Sequence, residues 1–261
     1  MNLEVISKHP SEKTHATPLL FVHGAWHGAW CWENFLPYFA EHGYEVHALS
    51  LRGHGNSDGR DEIRWHATSG YITDVARVAD SLSTHPVLIG HSMGGYVVQK
   101  YLEMHNAPAC VLLASIPTVG IIGMLLRMLR RHPVSTLKAL LLLNPWYFVS
   151  TPALAKDYLF SDDFPDDKFL EYYPYIQPES FRMALEAAFL KLPRPGKIKT
   201  PLLVLGAEND RVFTVSEHRK TARAYKTQAI LYPGMAHDMM LERSWKAVAD
   251  RILSWLDSRN F

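Results

Sequence analysis

Six short runs of apolar residues alternate along the chain with longer segments that have helical spacing, and this alternation limits the possible folds. The runs occupy residues 18–24, 44–51, 86–92, 109–116, 201–207 and 228–234. Those in the middle of the series are apolar on both faces, as in strands of a parallel sheet that is covered by helices. Strands that alternate with helices favour an open sheet with right-handed crossovers. We therefore predict an α/β fold with a mostly parallel central sheet flanked by helices.

The helical segments between and after these runs occupy residues 32–43, 71–82, 93–105, 215–226 and 243–258. The alternation stops between about residues 117 and 195, where only amphipathic segments occur. A stretch of this length is too long for a loop within a sheet fold. We predict that residues 117–198 form an inserted helical cap, which divides the core α/β domain into residues 1–116 and 199–261. The alternative is a small helical layer without a functional role.

Composition and charge exclude several classes of protein. The 261 residues include 27 basic and 26 acidic side chains, so the formal net charge is only +1 and no nucleic-acid partner is expected. The longest apolar stretch, residues 137–149, is too short and too interrupted by polar residues to span a bilayer, so no stable membrane insertion is expected. The presence of only two cysteines, Cys31 and Cys110, and the lack of a signal-peptide pattern predict a cytoplasmic protein. The sequence leaves the oligomeric state open.

Residues 90–94, Gly-His-Ser-Met-Gly, place a serine between a predicted strand and a predicted helix. This is the context that the G-x-S-x-G motif requires, because the serine occupies a strained turn at the end of the strand. Gly90 and Gly94 lack a Cβ atom, which lets the strand and the helix pass closely. The hydroxyl of Ser92 then lies at the N-terminal end of a helix, where the helix dipole favours a developing negative charge. We predict that Ser92 is a nucleophile.

A serine nucleophile needs a base and a carboxylate that orients the base. With this motif the chain order is serine, then Asp or Glu, then His. Asp210 and His237 follow two successive predicted strands, so both should lie at the carboxyl edge of the sheet together with Ser92. Two other carboxylates compete with Asp210: Glu208 lies nearer the strand end, and Asp238 is adjacent to the histidine. The alternative for His237 is a hydrogen-bonded surface histidine.

A tetrahedral oxyanion needs two preorganised N–H donors. The first is expected from Met93, the residue after the nucleophile, and the second from the loop after the first apolar run. In that loop Gly24 permits an unusual turn and Ala25 can present its backbone N–H; turn chemistry alone is the alternative. Three nearby histidines are interpreted as structural supports: His23, His54 and His91.

Five segments in this order resemble the α/β-hydrolase superfamily: FVHGAW (21–26), LRGHGNS (51–57), GHSMGG (90–95), GAENDRV (206–212) and GMAHDMM (234–240). The resemblance covers nearly the whole chain except the predicted cap. It implies Ser92 as nucleophile, His237 as base and Asp210 as the residue that orients it, with the backbone N–H groups of Ala25 and Met93 as the oxyanion hole. It also implies a cap inserted in the chain between Ser115 and Pro201. No metal and no organic cofactor are required for such a mechanism.

Single residues distinguish branches of this superfamily. Branches with a nucleophilic aspartate, such as epoxide hydrolases and haloalkane dehalogenases, do not match because position 92 is serine. Residues 22–35 resemble the plant methylesterase and hydroxynitrile lyase group. The lyases typically have a threonine where this chain has Gly24 and a lysine where it has Asp238. These differences disfavour a lyase and leave an esterase.

The predicted cap is rich in aromatic residues, most of which should pack between helices and some of which should line a substrate pocket. They are Trp146, Tyr147, Phe148, Tyr158, Phe160, Phe164, Phe169, Tyr172, Tyr173 and Tyr175. An apolar acyl or alkyl group is therefore the expected part of the substrate. We predict a serine carboxylic-ester hydrolase that acts on small to medium apolar esters, including monoacylglycerol-like lipids. Alternatives with the same triad are a lactonase, a thioesterase, a C–C bond hydrolase, a cofactor-free perhydrolase and a slow-turnover ligand receptor.

A basic face lies beside the apolar residues 121–126 in the predicted cap. It consists of Arg127, Arg130, Arg131 and His132. One interpretation is a solvated helix face, and the other is transient contact with a lipid surface.

Overall fold

A computed structural model describes all 261 residues, and its centre is one seven-stranded sheet with the order β1-β3-β2-β4-β5-β6-β7. The strands are β1 (Val5–Lys8), β2 (Leu19–Val22), β3 (Val46–Leu49), β4 (Val87–His91), β5 (Cys110–Leu113), β6 (Leu202–Ala207) and β7 (Ala229–Tyr232). All neighbouring strands are parallel except β1, which is antiparallel to β3. The predicted mostly parallel sheet is thus confirmed.

The first strand was absent from the sequence-based prediction. Strand β1 pairs with β3 in the register Val5 to Leu49 and Lys8 to Val46, at the edge of the sheet. Three of its four residues are exposed, so this strand has no continuous apolar run. An antiparallel edge strand needs no covering helices on both faces, and its sequence therefore lacks the pattern that identifies the central strands.

Ten α-helices connect and cover the strands. They are α1 (Phe35–Glu41), α2 (Thr68–Ser81), α3 (Ser92–Leu102), α4 (Ile122–Arg131), α5 (Pro133–Leu141), α6 (Pro152–Leu159), α7 (Asp166–Tyr172), α8 (Phe181–Leu185), α9 (Val215–Ala224) and α10 (Trp245–Asp257). Short 3-10 helices occupy Ala29–Trp32, Arg60–Trp65, Pro145–Phe148, Tyr173–Tyr175 and Pro195–Lys197, and a π-helix occupies Glu186–Leu190. Every helical segment predicted from the sequence contains one of these helices. None of the helices has the length and apolar character that crossing a bilayer would require.

Helix α3 lies at the centre of the molecule. Every residue of this helix is buried except Lys100, which is half-buried. A helix that is apolar nearly all round must be enclosed on all sides, and α3 packs against strands β2, β4 and β5 and against helix α2. Its first residue, Ser92, is therefore held by a helix that is buried along almost its whole length.

The chain between β5 and β6 contains only helices, and we call residues 117–198 the helical segment. It contacts the loops that follow four different strands at their carboxyl ends. The contacts join Gln177 to Trp26 after β2, Glu179 to His54 after β3, Asp157 to Arg211 after β6, and Ser161 to Glu242 after β7. The helical segment therefore covers the carboxyl edge of the sheet.

Candidate active site

Ser92 occupies a sharp turn between β4 and α3. Its φ angle is 49°, which lies in the left-handed region that non-glycine residues rarely adopt. The turn is possible because two neighbours have no side chain. A Cβ atom at Gly90 would lie 2.7 Å from the Cα of Gly95, and one at Gly94 would lie 2.2 Å from the carbonyl oxygen of Val22. The strand and the helix therefore pass too closely for any other residue at these two positions.

The structure brings Ser92, His237 and Asp210 together, although they are far apart in the chain. The Nε2 atom of His237 lies 2.8 Å from the Oγ atom of Ser92, and its Nδ1 atom lies 2.9 Å from Oδ2 of Asp210. An ionised carboxylate only accepts hydrogen bonds, so Nδ1 of the histidine has to donate to it. Nε2 is then free to accept the hydroxyl proton of the serine. This is the arrangement of a nucleophile, a base and an orienting carboxylate.

Asp210 is fixed in the loop after β6 by its own backbone surroundings. Its Oδ1 atom accepts hydrogen bonds from the N–H groups of Val212 at 2.7 Å and Phe213 at 2.9 Å. Burial alone would raise the pKa of this carboxyl group, but the neighbouring His237 and His218 hold that pKa well below its usual value. Asp210 is therefore ionised and is oriented from both oxygen atoms.

The two competing carboxylates form no hydrogen bond with the ring of His237, whose two nitrogens contact Ser92 and Asp210. Glu208 is exposed to solvent. Asp238 is buried, but its Oδ2 atom lies 3.0 Å from Nε2 of His27, with which it forms an ion pair. Burial would raise the pKa of Asp238, and the positive charge of His27 lowers it. Asp238 thus belongs to a second buried pair beside the candidate triad.

Ala25 and Met93 line the same cavity as Ser92. The N–H group of Ala25 donates no hydrogen bond to another backbone group. Met93 is the second residue of α3, and the first N–H groups of a helix have no intrahelical acceptor. Both groups are therefore free to bind an oxygen atom in the cavity.

Both ring nitrogens of His23 and the Nε2 atom of His91 contact backbone groups, whereas Nδ1 of His91 has no hydrogen-bond partner. Nε2 of His23 accepts the N–H of Leu51 at 3.0 Å, and Nε2 of His91 lies 3.0 Å from the carbonyl oxygen of His237. Burial, followed by the neighbouring His54, lowers the pKa of His23 well below its usual value. Burial, followed by the charge of His237, lowers the pKa of His91 to about 3. Both rings are therefore neutral near pH 7.

Gly24 lies directly against the ring of His91. A Cβ atom at position 24 would approach Nδ1 of His91 to 2.6 Å and Cβ of Ser92 to 3.0 Å. A threonine at this position, as in the hydroxynitrile lyases, would require these side chains to move. The geometry thus gives a physical reason for the glycine.

Sequence reasoning missed Trp26 and Glu179. Trp26 follows Ala25 and has a φ angle of 66°. Three hydrogen bonds from the helical segment hold it: its N–H donates to Glu179 at 3.4 Å, its Nε1–H donates to the carbonyl of Pro145 at 3.2 Å, and its carbonyl accepts the N–H of Gln177 at 2.9 Å. No local pattern marks these residues, because their partners lie more than 100 positions away. The loop that contains Ala25 is thereby fastened to the helical segment.

The cavity beside Ser92 has a volume of about 60 Å³ and a mainly apolar lining. The apolar side chains that enclose it come from the sheet edge and from the helical segment: Ile116, Ile121, Met124, Leu125, Pro145, Phe148, Met183, Ala184, Val212 and Phe213. Glu179 is the one carboxylate in the wall. A lining of this kind is typical of pockets for apolar groups, and it lies beside the serine hydroxyl.

Three potential metal ligands lie close together near the triad. The ligand atoms of His91, His237 and Asp238 are within 4.8 Å of one another. Both nitrogens of His237 are already engaged by Ser92 and Asp210. To coordinate a metal ion, this histidine would have to give up one of the two contacts that define the candidate triad.

The fold and the site define a class of protein. The sequence model of the alpha/beta hydrolase family matches residues 19–251, a range that includes Ser92, Asp210 and His237. This chain belongs to the alpha/beta hydrolase family. The resemblance inferred from its sequence motifs is confirmed.

Two named relatives match different shares of this chain. The monoacylglycerol lipase of Mycolicibacterium smegmatis is 26% identical in an alignment of 252 positions that covers 92% of this chain and 88% of the lipase. The non-heme chloroperoxidase of Streptomyces lividans is 37% identical in an alignment of 106 positions that covers 39% of this chain and 38% of that enzyme. The chain thus matches most of the lipase but less than half of the chloroperoxidase.

A thermophilic esterase from Thermogutta terrifontis has a similar solved structure. The TM-score is 0.77, and the comparison covers 99% of this chain and 94% of that esterase. The sequence identity is 18%, so this similarity concerns the fold.

Proposed function

We propose that this protein is a serine carboxylic-ester hydrolase that acts on small to medium apolar esters through an acyl-enzyme. The observation that carries the proposal is the pair of contacts made by His237, at 2.8 Å to Ser92 and at 2.9 Å to Asp210, beside an apolar cavity. Fold alone does not define a function, whereas this geometry supports a particular chemistry.

The proposed reaction begins when the Oγ atom of Ser92 attacks the ester carbonyl carbon while Nε2 of His237 takes the hydroxyl proton. The carbonyl oxygen becomes an oxyanion, which the N–H groups of Ala25 and Met93 stabilise. The intermediate collapses, the C–O bond to the alcohol breaks, and His237 gives its proton to the leaving oxygen. Asp210 stabilises the positive charge that His237 carries between these two proton transfers.

The second half of the reaction repeats these steps with water. His237 removes a proton from a water molecule, and the resulting hydroxide attacks the acyl-enzyme carbonyl. The C–O bond to Ser92 then breaks, the serine oxygen recovers its proton from His237, and a carboxylic acid is released. None of these steps requires a metal ion or an organic cofactor.

The lining of the cavity supports an apolar acyl group as the bound part of the substrate. It contains no basic side chain that could clamp a phosphate or coenzyme A. One relative that the chain matches over most of its length is a monoacylglycerol lipase. We therefore include monoacylglycerol-like lipids in the proposed substrate class.

A perhydrolase is the second candidate. The 37% identity to a non-heme chloroperoxidase over 106 residues favours it. In this reaction hydrogen peroxide replaces water in the attack on the acyl-enzyme, and the product is a peroxy acid. The first half-reaction is the same in both candidates, so the two activities can coexist at one site.

The decisive experiment is the hydrolysis of nitrophenyl esters with acyl chains from two to sixteen carbons. We expect turnover with an optimum chain length, and we expect Ser92→Ala to lower turnover by a factor on the order of 10⁶, as in a serine protease. The matched control is Ser115→Ala, since Ser115 is also buried but hydrogen-bonds Gln99 and lies outside the triad. Its turnover should stay close to that of the native protein.

The opposite result has clear consequences. If the native protein is no faster than Ser92→Ala with any ester in the series, the esterase proposal is wrong. Lactones, thioesters, C–C substrates and slow ligand binding are then the reactions to examine. Bromination in the presence of acetate, bromide and hydrogen peroxide would reveal the perhydrolase activity.

A further inference from the structure

Helix α5 presents its apolar stripe to solvent instead of to the core. Val134, Leu137 and Leu141 follow helical spacing and are 67%, 48% and 79% exposed. In a globular protein residues with this spacing normally pack inward. The buried positions of α5 are the small residues Thr136 and Ala139. The stripe of Val134, Leu137 and Leu141 therefore has no partner within the chain.

This stripe lies beside an outer apolar cavity of about 140 Å³. Leu140, Leu185 and Phe189 line this cavity, and all three are exposed at its edge. A further set of side chains belongs to both the outer cavity and the inner cavity beside Ser92: Ile121, Leu125, Pro145, Phe148 and Ala184. The outer cavity and the cavity beside Ser92 thus have part of their apolar wall in common.

The stretch of chain that contains the stripe carries charge of one sign. Residues 117–151 contain four basic side chains and no acidic one, although the whole chain has 27 basic and 26 acidic residues. The basic face that the sequence predicted is partly used inside the protein, because Arg127 pairs with Glu217 and Arg131 with Asp157. Arg130 and Lys138 are exposed and form no ion pair.

From these observations we infer that the stripe of α5 docks on an anionic lipid bilayer, and that a lipid ester enters the outer cavity from there toward Ser92. The inference rests on the proposed function for its substrate. Apolar side chains bordered by cations bind the boundary between headgroups and acyl chains of anionic membranes. A second copy fits less well, since a two-fold contact would place the cations of one stripe against those of its copy.

The test is co-sedimentation of the native protein with vesicles of phosphatidylcholine, with and without about one-third phosphatidylglycerol. The native protein should bind the anionic vesicles more strongly. Leu141→Glu should lower binding about tenfold, because it replaces an exposed leucine that would enter the bilayer with a negatively charged side chain. Met104→Glu is the matched control, since Met104 is 76% exposed and lies outside the helical segment. Its binding should stay within about twofold of the native value.

A second variant tests the charges. Arg130→Gln with Lys138→Gln should abolish the preference for phosphatidylglycerol, because each cation near such a surface contributes about a factor of five in binding. All variants should hydrolyse nitrophenyl acetate at the native rate, so a failure of docking is distinguishable from a failure of the proposed chemistry. Native protein that does not bind vesicles, or equal binding by Leu141→Glu, would overturn the inference. A native dimer that Leu141→Glu dissociates, without vesicle binding, would assign the stripe to a second copy and overturn it as well.

Discussion

Two buried carboxylates near His237 differ in what they contact, and this difference separates their roles. Asp210 reaches Nδ1 of His237 and is held by two backbone N–H groups. Asp238 is the neighbour of His237 in the chain, yet its carboxylate pairs with His27. Adjacent residues in a loop point in different directions, so the residue 27 positions away is the one that can orient the ring.

At the residue scale, Asp210→Asn should lower kcat/KM on the best ester by about 10⁴, as the equivalent change does in a serine protease, because an amide can favour the wrong tautomer of His237. The fold should remain, since the amide oxygen can still accept from Val212 and Phe213. The measurement is steady-state kinetics together with thermal unfolding.

The matched control for this change is Glu208→Gln, which alters an exposed carboxylate two residues away. Its kcat/KM should stay within about twofold of the native value, as is usual for surface substitutions. Equal losses in both variants, or full activity in Asp210→Asn, would show that Asp210 does not orient the base.

The residues of the candidate triad were predictable because each one follows a strand and their order along the chain is fixed by the fold. Trp26 and Glu179 were not predictable in this way. Their hydrogen bond joins residues that are 153 positions apart, and the local sequence carries no sign of it. Long-range polar contacts depend on how the helical segment packs on the sheet edge, which periodicity does not describe.

At the scale of elements, the same limit applies to strands and helices. The central strands were identified because they are buried on both faces, whereas β1 was missed because it is exposed at the sheet edge. The helical segment was predicted as a unit, but the π-helix at Glu186–Leu190 was not. A π-helix differs from an α-helix by a single shift in hydrogen bonding, and amphipathic spacing does not reveal it.

Glu179 fastens the helical segment to the core, and its substitution should therefore lower the stability of the protein. Its carboxylate accepts hydrogen bonds from Tyr71 at 3.0 Å, from His54 at 3.0 Å and from the N–H of Trp26. In Glu179→Gln an NH₂ group, which cannot accept a hydrogen bond, replaces one of the two carboxylate oxygens. At least one of these buried donors then loses its acceptor. We expect the free energy of unfolding to fall by about 1–3 kcal/mol. Urea unfolding measures this change.

The control is Glu171→Gln, in the same helical segment but exposed and paired only with Lys168. Its free energy of unfolding should change by less than about 0.5 kcal/mol. Unchanged stability in Glu179→Gln would mean that this carboxylate does not fasten the segment. A lower kcat in Glu179→Gln would further indicate that the contact between Glu179 and Trp26 helps to position the neighbouring N–H group of Ala25.

At the scale of the whole molecule, a cluster of buried histidines links stability to pH. Burial lowers the pKa of His91 to about 3 and also lowers that of His23, whereas His27 has a raised pKa because Asp238 offsets the effect of its burial. A lowered histidine pKa means that the unfolded chain binds a proton that the folded protein does not bind. The folded protein therefore loses stability as the pH falls below about 6.5, the usual value for histidine.

The sign is opposite for His27, whose contribution is present at low pH and is lost as the pH rises through its raised pKa. Between about pH 6.5 and pH 3, His91 alone should change the free energy of unfolding by up to about 1.4 kcal/mol per pH unit. The native protein should thus unfold at lower urea concentration at pH 5 than at pH 7.

The variant His91→Gln separates this contribution from the others, because glutamine has no titrating proton and its amide can still donate to the carbonyl of His237. Its free energy of unfolding should depend on pH less steeply than that of the native protein. The difference in slope should correspond to about one proton fewer taken up on unfolding between pH 6.5 and pH 5. His85→Gln is the control, since His85 is exposed, and its slope should equal the native slope. If His91→Gln and the native protein have the same slope, burial does not keep His91 neutral. The interpretation of His91 as a neutral structural support would then be wrong.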